Sequence, residues 1–256
     1  MRREYPPPIN QVLEWFRDKD TVVFCDFLTR WPTLKQAQRA RKARLSAFFH
    51  EHNVRYPQVI EQRIQAILAA APLTADSAVI EPNRLLVLTL VQQLRVLLQA
   101  LERFDAEIAQ LAPTLPDYVL FTSFPGAGPV FAPRLLAAFG EPRERYTGAD
   151  ELQKYAGIAP VTQRSGNNCW VHWRLQCPKF LRRTFVEWAA LSIPHCYWAK
   201  AFYEQQRARG SSHQAALRAL AFKWIRILYR CWQDRTPYDE ATYLNALKRR
   251  GSPLLN

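Results

Sequence analysis

The chain is 256 residues long, 48% hydrophobic and 22% charged, with 35 Lys and Arg against 22 Asp and Glu and a formal net charge of +13. This composition excludes a fully disordered chain, because it supplies enough apolar surface for a buried core. The strongly basic balance favours a polyanionic partner such as nucleic acid. A basic but merely solvated surface is the alternative.

Cysteine content and the N-terminal sequence indicate a cellular compartment. The five cysteines are odd in number and irregularly spaced, which predicts free thiols rather than a disulfide framework. The first residues lack the apolar segment of a signal peptide, and we expect no apolar run of the length that spans a bilayer. The sequence therefore predicts a cytoplasmic protein without a membrane partner.

Residues 1–78 are predicted to form short helices that are broken by proline. The segment RWPTLKQAQRARKARL, residues 30–45, carries basic side chains from Arg30 to Arg44 with no acid between them. A helix face of this kind is often only solvated, but here it adds to the positive charge that favours nucleic acid.

Residues 79–115 are predicted to form one long helix with Pro82 at its start and Pro113 at its end. Apolar residues recur along it at alternating spacings of three and four, which is typical of a heptad seam. We define the seam, residues 87–111, as Val87, Leu90, Leu94, Leu97, Leu101, Phe104, Ile108 and Leu111. The pattern favours a coiled coil that joins copies of the chain into a homo-oligomer, and a core helix of a bundle is the alternative.

Residues 116–256 are also predicted to be helical, so the expected fold class is mainly α. Their first motif, FPGAGPVFAPRLL at residues 124–136, has the form of a helix-hairpin-helix. Gly126 and Gly128 would let the turn approach a DNA backbone, and the following helix would present free N–H groups to a phosphate. An ordinary tight turn between packed helices is the alternative.

A polar segment, QRSGNN at residues 163–168, contains no acid and precedes a basic stretch. Ser165 stands before Gly166, which indicates a turn with a projecting hydroxyl. The candidate phosphate-binding side chains around it are Arg164, Arg174, Lys179, Arg182 and Arg183. Cations of this kind would stabilise the charge that develops when a serine attacks a phosphodiester. The local sequence identifies no base, and a plain turn residue remains the alternative for Ser165.

Metal-ligand residue types also cluster in this region: Cys169, His172, Cys177, His195 and Cys196. Their spacing matches no established zinc pattern, and Cys177 precedes a proline. The sequence therefore predicts no metal site.

Taken together, residues 116–243 resemble the C-terminal transposase domain of the insertion-sequence one-ten family. The resemblance is carried by FPGAGPVFAPRLLAAFGEPRERYTGADELQKYAGIAPVTQRSG, WRLQCPKFLRRTFVEWA, AFYEQQRARGSSHQAALRALAFKWIRILYRCW and TPYDEATY. It implies a DNA recombinase that moves its own element and pairs two double-stranded DNA sites. By position, Ser165 matches the serine that attacks the DNA backbone in that family and becomes covalently linked to it.

The resemblance also implies parts that we expect to be absent from this sequence. Family members carry an N-terminal acidic domain of resolvase-like α/β fold that binds magnesium, and some use a structured guide RNA. We expect this chain to be a C-terminal portion with no cofactor of its own, so that magnesium enters only with the acidic domain. The alternatives are a non-catalytic DNA-binding and oligomerising remnant that competes with full-length transposase, and a structural hairpin protein of DNA repair.

Overall fold

A computed structural model describes residues 12–252 and Leu254. The chain forms two compact units, Met1–Ala106 and Glu107–Asn256. The predicted mainly α fold is confirmed, because the strands in the described residues are limited to one two-stranded sheet. The predicted division at residues 78/79 and 115/116 stays a prediction.

Unit 1 is built from short helices around an aromatic core. After a helical stretch at residues 12–15 come α1 (Val22–Arg30), α2 (Leu34–Arg39), α3 (Lys42–Glu51), α4 (Pro57–Ala69) and the long α5 (Ser77–Leu111), whose last residues belong to unit 2. Thr21 and Thr33 cap α1 and α2, because each hydroxyl oxygen accepts a hydrogen bond from an N–H of the first turn. The core rings with almost no exposed surface are Phe16, Phe27, Phe48 and Phe49.

The start of α5 differs from the prediction. The helix begins at Ser77, where Asp76 Oδ1 accepts the backbone N–H of Ala78 at 2.9 Å, so Pro82 lies inside the helix rather than at its start. A proline inside a helix lacks the N–H that would bond to the carbonyl four residues earlier. The interruption is confined to the second turn, and the helix continues to Leu111.

The two halves of the seam have different surroundings. In the described chain, the buried residues of α5 are Val87 and Val91, which pack into the core of unit 1. Farther along the helix Leu97, Leu101 and Phe104 are 61%, 58% and 65% exposed. An apolar row this exposed is unusual unless another surface covers it.

The same helix corrects one expectation about membranes. Residues Ser77–Thr114 form a helix that is long and apolar enough to cross a bilayer, with a mean hydropathy of 1.4 in its most apolar window. The expectation that no apolar run reaches such a length was therefore wrong. Length and composition alone do not separate a membrane span from a helix that joins subunits. The absence of a membrane partner stays a prediction.

Unit 2 holds the rest of the chain. Its elements are α6 (Tyr118–Thr122), α7 (Gly128–Phe139), α8 (Ala149–Tyr155), β1 (Val161–Ser165), β2 (Asn168–His172), α9 (Lys179–Ser192), α10 (Tyr197–Ala208), α11 (His213–Asp234) and α12 (Glu240–Arg249). Helix α11 is central, because it packs against α8, α9 and α10. This arrangement leaves the β1–β2 hairpin outside the helical core.

Four tryptophans fix the core of unit 2. Trp188, Trp198, Trp224 and Trp232 are fully buried. Each indole N–H donates a hydrogen bond, to Pro125 O at 3.1 Å, Tyr238 Oη at 2.7 Å, Ser192 Oγ at 2.8 Å and Gly140 O at 3.0 Å respectively. A buried indole N–H without a hydrogen-bond partner would destabilise the fold. These four hydrogen bonds therefore favour a single arrangement of the loops and helices around the core.

Candidate nucleic-acid interface

The β1–β2 hairpin positions the candidate nucleophile. The two strands pair antiparallel from Val161–His172 to Ser165–Asn168, which leaves Gly166 and Asn167 as a two-residue loop. Gly166 has a φ of +56°, and glycine at the first loop position is typical of a type II′ turn. The predicted turn is confirmed, and Ser165 lies at its edge as the last residue of β1.

Strand alternation determines which side chains accompany Ser165. Because paired residues share a face and neighbours along a strand alternate, Ser165 shares its face with Gln163, Asn168 and Trp170. Arg164 lies on the opposite face. His172 is on the Ser165 face, but it lies four residues from the end of the hairpin, about 13 Å at ~3.3 Å per residue. The hairpin therefore provides no histidine within hydrogen-bonding reach of the serine.

The hairpin is exposed on both faces. All side chains from residue 162 to residue 173 are exposed, including Trp170 and Trp173 at 47% and 48%. A two-stranded ribbon gains little stability alone in water. Large aromatic rings that remain in solvent on such a ribbon indicate a surface that contacts a partner.

Three arginines meet at the root of the hairpin. The guanidinium carbon of Arg218, on α11, lies 3.1 Å from the centroid of the Trp173 ring. Arg182, on α9, donates from Nη1 to the carbonyl oxygen of Arg174 at 3.3 Å. We call Arg174, Arg182 and Arg218 the root cluster.

The root cluster has no acidic partner. In the described part of the chain, no ion pair joins any of its guanidinium groups to a carboxylate, and Arg174 Nε is buried without a hydrogen bond. Burial lowers the pKa of Arg218, and the nearby charge of Arg182 lowers it further. The guanidinium groups of Arg182 and Arg218, whose charges lie close enough to interact, are suited to bidentate binding of phosphate oxygens.

The other two predicted arginines and the predicted lysine lie outside this cluster. Arg183 Nε lies 2.5 Å from Glu187 Oε1, and this hydrogen bond raises the pKa of Arg183. Lys179 is exposed at the first residue of α9. Arg183 must therefore exchange a carboxylate for a phosphate if it is to bind DNA, whereas the root cluster need not.

The two glycines of the α6–α7 turn have different surroundings. Gly126 has a φ of +72°, and a Cβ added there would lie 2.7 Å from the carbonyl oxygen of Leu191. Gly128 has a φ of +50°, is exposed, and would place a Cβ with no neighbour within 4 Å. Close packing on α9 therefore explains Gly126, and only Gly128 leaves space for a DNA backbone. The helix-hairpin-helix assignment stays a prediction.

This difference predicts unequal effects on stability. We expect Gly126→Ala to lower the free energy of unfolding by about 3 kcal/mol, from a left-handed backbone cost of about 1–2 kcal/mol and the clash with Leu191. Gly128→Ala is the matched control, because only the backbone cost of about 1–2 kcal/mol applies there. Urea unfolding of the two variants measures the difference, and equal losses would contradict the packing role of Gly126.

The metal-ligand residue types do not assemble. Among the described residues, no group of three or more His, Cys, Asp or Glu side chains is placed to hold a metal ion. Burial raises the pKa of the Cys196 thiol to about 12, so that side chain stays protonated and hydrogen-bonded at neutral pH.

Sequence reasoning missed two members of the interface. Arg218 and Trp173 are not among the candidate residues that the sequence indicates. They meet through tertiary packing across 45 positions of sequence, which no local pattern indicates. The one available signal was the aromatic and basic composition of the segment after Ser165.

A comparison with known families now adds to this geometry. Residues 118–204 match the family described as "Transposase IS116/IS110/IS902 family". The matched segment contains the α6–α7 turn, the hairpin with Ser165, and the Arg174 and Arg182 members of the root cluster. Residues 118–204, about a third of the chain, are therefore similar to the transposase domain of that family.

Individual relatives agree with this match. Over 124 residues, 48% of this chain and 30% of the relative, the sequence is 36% identical to the "Mini-circle putative transposase for IS117" of Streptomyces coelicolor. It is 28% identical over 226 residues to an uncharacterized 42 kDa protein of insertion element IS900 from Mycobacterium paratuberculosis. It is 29% identical over 244 residues to an uncharacterized 43.6 kDa protein of insertion element IS110 from Streptomyces coelicolor. The chain spans 54% and 57% of the length of these last two relatives.

Proposed function

We propose that this chain is the DNA-binding and strand-transfer portion of an insertion-sequence transposase in which Ser165 attacks the DNA backbone. One observation carries the proposal. Ser165 is exposed at the end of a hairpin whose root holds three arginines without an acidic partner. The match of residues 118–204 to a transposase family supports the same function.

The chemistry requires more than the hairpin supplies. In the proposed step Ser165 Oγ bonds to a backbone phosphorus while one phosphorus–sugar oxygen bond breaks. A base takes the serine proton, and the leaving sugar oxygen receives a proton. The root cluster would hold the neighbouring phosphates and stabilise negative charge. In the described residues no His, Asp or Glu side chain is hydrogen-bonded to Ser165, so the base belongs to another domain or chain.

We also propose that the magnesium site lies outside the described residues of this chain. The described residues offer no cluster of three or more acidic or histidine ligands, so this part of the chain does not fit a catalytic metal. We assign magnesium to a separate acidic domain, as the resemblance implies, and derive no step through it here. A structured guide RNA, used by some members of the resembled family, would be a further partner.

Self-association through residues 87–111 belongs to the same proposal. The exposed half of the seam, from Leu97 to Leu111, offers a continuous apolar face. A recombinase that pairs two DNA sites needs at least two DNA-binding units, and a coiled coil between two copies would supply them.

Binding to duplex DNA tests the DNA-binding part of the proposal. We expect the double variant Arg182→Gln/Arg218→Gln to bind duplex DNA roughly a hundredfold more weakly, about tenfold for each guanidinium. The slope of log affinity against log salt concentration should fall by about 0.9 for each phosphate contact that is lost. Fluorescence anisotropy over a salt series measures both quantities.

Arg230→Gln is the matched control for that experiment. Arg230 is an exposed arginine on the same helix as Arg218, and it pairs with Asp234 at 3.7 Å. Its replacement should leave the affinity within about twofold of the wild-type value. The salt slope should stay within about 0.2 of the wild-type slope. An unchanged salt slope in the double variant would show that the root cluster does not bind DNA phosphates.

A non-catalytic remnant is the second candidate function. The missing base near Ser165 favours it, because DNA binding needs only the root cluster. Both functions predict salt-dependent duplex binding, so only a covalent adduct separates them.

A further inference from the structure

A second basic site lies beside the root cluster within unit 2. It is a cleft of about 600 Å³ lined by Arg145, Lys154, Tyr155 and Arg174, with Glu151 as its carboxylate. Arg174 connects the two sites, because its backbone carbonyl oxygen accepts a hydrogen bond from Arg182 and the residue also lines the cleft. Volumes of roughly 300–1,000 Å³ are typical of clefts that hold a small ligand.

The positive charge in the cleft is only partly compensated. Glu151 Oε2 already accepts hydrogen bonds from Thr147, at 2.7 Å from the backbone nitrogen and 3.0 Å from the hydroxyl. Lys154 pairs at the surface with Asp150 at 2.8 Å. In the described residues Arg174 Nε is buried with no hydrogen-bond partner. Guanidinium groups in this setting are suited to an anionic ligand such as a phosphate.

The guanidinium of Arg145 is held in place. Its Nη1 lies 3.5 Å from the carbonyl oxygen of Phe139, and its Cζ lies 5.4 Å from the centroid of the Tyr146 ring. It occupies the space beside Gly140, where a Cβ would come within 2.6 Å of Nη1. A cation positioned in this way loses little conformational entropy when it binds an anion.

An aromatic ring completes the cleft. The Tyr155 side chain is 47% exposed, and its ring centroid lies 6.3 Å from that of Tyr146. Tyr146 is buried, with its hydroxyl donating to the carbonyl oxygen of Ala138 at 3.0 Å. Tyr155 is therefore the ring that a ligand can reach. An exposed aromatic ring beside clustered cations is the arrangement that binds unstacked nucleotides.

We propose that this cleft binds one nucleotide of an unpaired nucleic-acid strand, with its base stacked on Tyr155 and its phosphate held by Arg145 and Arg174. A base inside a duplex is stacked on its neighbours and cannot enter a concave cleft, so the ligand is a single-stranded or extruded nucleotide. The inference rests on the proposed function, because DNA strand transfer exposes unpaired nucleotides close to the root cluster. A displaced DNA strand and a loop of structured RNA share the required chemistry.

Two fluorescein-labelled probes, an oligothymidylate and an oligouridylate, test the site by anisotropy on the full chain. We expect Tyr155→Ala to weaken single-strand binding by about 5- to 150-fold, the range of one lost base stack. Tyr155→Phe keeps the ring and should bind within twofold of wild type. Tyr197→Ala, which removes another exposed tyrosine of unit 2 outside the cleft, is the matched control. If Tyr155→Ala weakens the binding of oligothymidylate alone, the ligand is a DNA strand. If it weakens the binding of oligouridylate alone, the ligand is an RNA strand. Weaker binding of both probes indicates that the cleft recognises the nucleotide chemistry that DNA and RNA share.

A second variant addresses the phosphate. Arg145→Gln removes one of the two guanidinium groups that hold the phosphate, and it should lower the slope of log single-strand affinity against log salt concentration by about 0.7. Circular dichroism confirms that each variant is folded. Unchanged single-strand binding in Tyr155→Ala, or an equal loss for a labelled duplex, would overturn the nucleotide site. Failure of the proposed function would be detected in a different experiment, in which Arg182→Gln/Arg218→Gln would leave the salt slope of duplex binding unchanged.

Discussion

Ser165→Ala is expected to abolish the covalent protein–DNA adduct that the proposed strand-transfer step would form. The change removes the one atom, Oγ, that bonds to phosphorus in the proposed step, so the adduct should disappear entirely. The measurement incubates the chain with labelled element-end DNA, with and without an acidic resolvase-like domain. Denaturing electrophoresis then shows whether protein carries the label.

Thr162→Ala is the control for this loss. Thr162 is an exposed hydroxyl residue on the same strand, and alternation places it on the face opposite Ser165. Its variant should form the adduct at the wild-type level. Duplex affinity should be unchanged in both variants, since neither removes a charge. An adduct that persists in Ser165→Ala would exclude this serine as the nucleophile, and wild-type binding without any adduct would favour the remnant.

Replacing Leu97, Leu101 and Phe104 together by serine is expected to convert the assembled protein into a monomer. These side chains are 58–65% exposed in the single chain, so their loss costs the folded monomer little. In a two-stranded coiled coil each would be buried, and each burial contributes about 1.5–3 kcal/mol. Removing three from both copies should weaken association on the order of a thousandfold or more. Sedimentation equilibrium measures this constant directly.

Leu85→Ser/Val96→Ser provides the matched comparison. Both residues are exposed on α5, at 57% and 65%, and helical spacing places them away from the seam. Their loss also removes exposed apolar side chains from the same helix but should leave the association constant unchanged. Monomeric wild-type protein, or equal weakening by both sets, would exclude the seam as the subunit contact.

Helical spacing could be predicted well from the sequence, whereas partners in space could not. The regular three–four spacing of α5 indicated a long helix, and the structure places it at Ser77–Leu111. The same spacing could not show that Val87 packs into a core while Leu101 stays in solvent. Both residues occupy the same position of the heptad, so the pattern does not distinguish them. Only tertiary contacts separate these roles.

The candidate site was predictable to a similar degree. Ser165 before Gly166 indicated the turn, and the positive φ of Gly166 confirms it. The strands beside the turn were missed because the hairpin is exposed on both faces and lacks the apolar alternation that identifies a half-buried strand. Arg218 escaped notice because helix α11, far along the chain, brings it to the hairpin.

The distribution of tryptophan gives the protein an optical label of its own. Of the eight tryptophans, the two with large solvent exposure are Trp170 and Trp173, on and next to the hairpin, and the others are at most 8% exposed. A quencher dissolved in water reaches only exposed indoles, so the quenchable part of the intrinsic emission comes from the ribbon that carries Ser165. A ligand that covers the ribbon would shield these two rings and leave the emission of the core unchanged. Occupancy of the hairpin can thus be followed by fluorescence in unmodified protein.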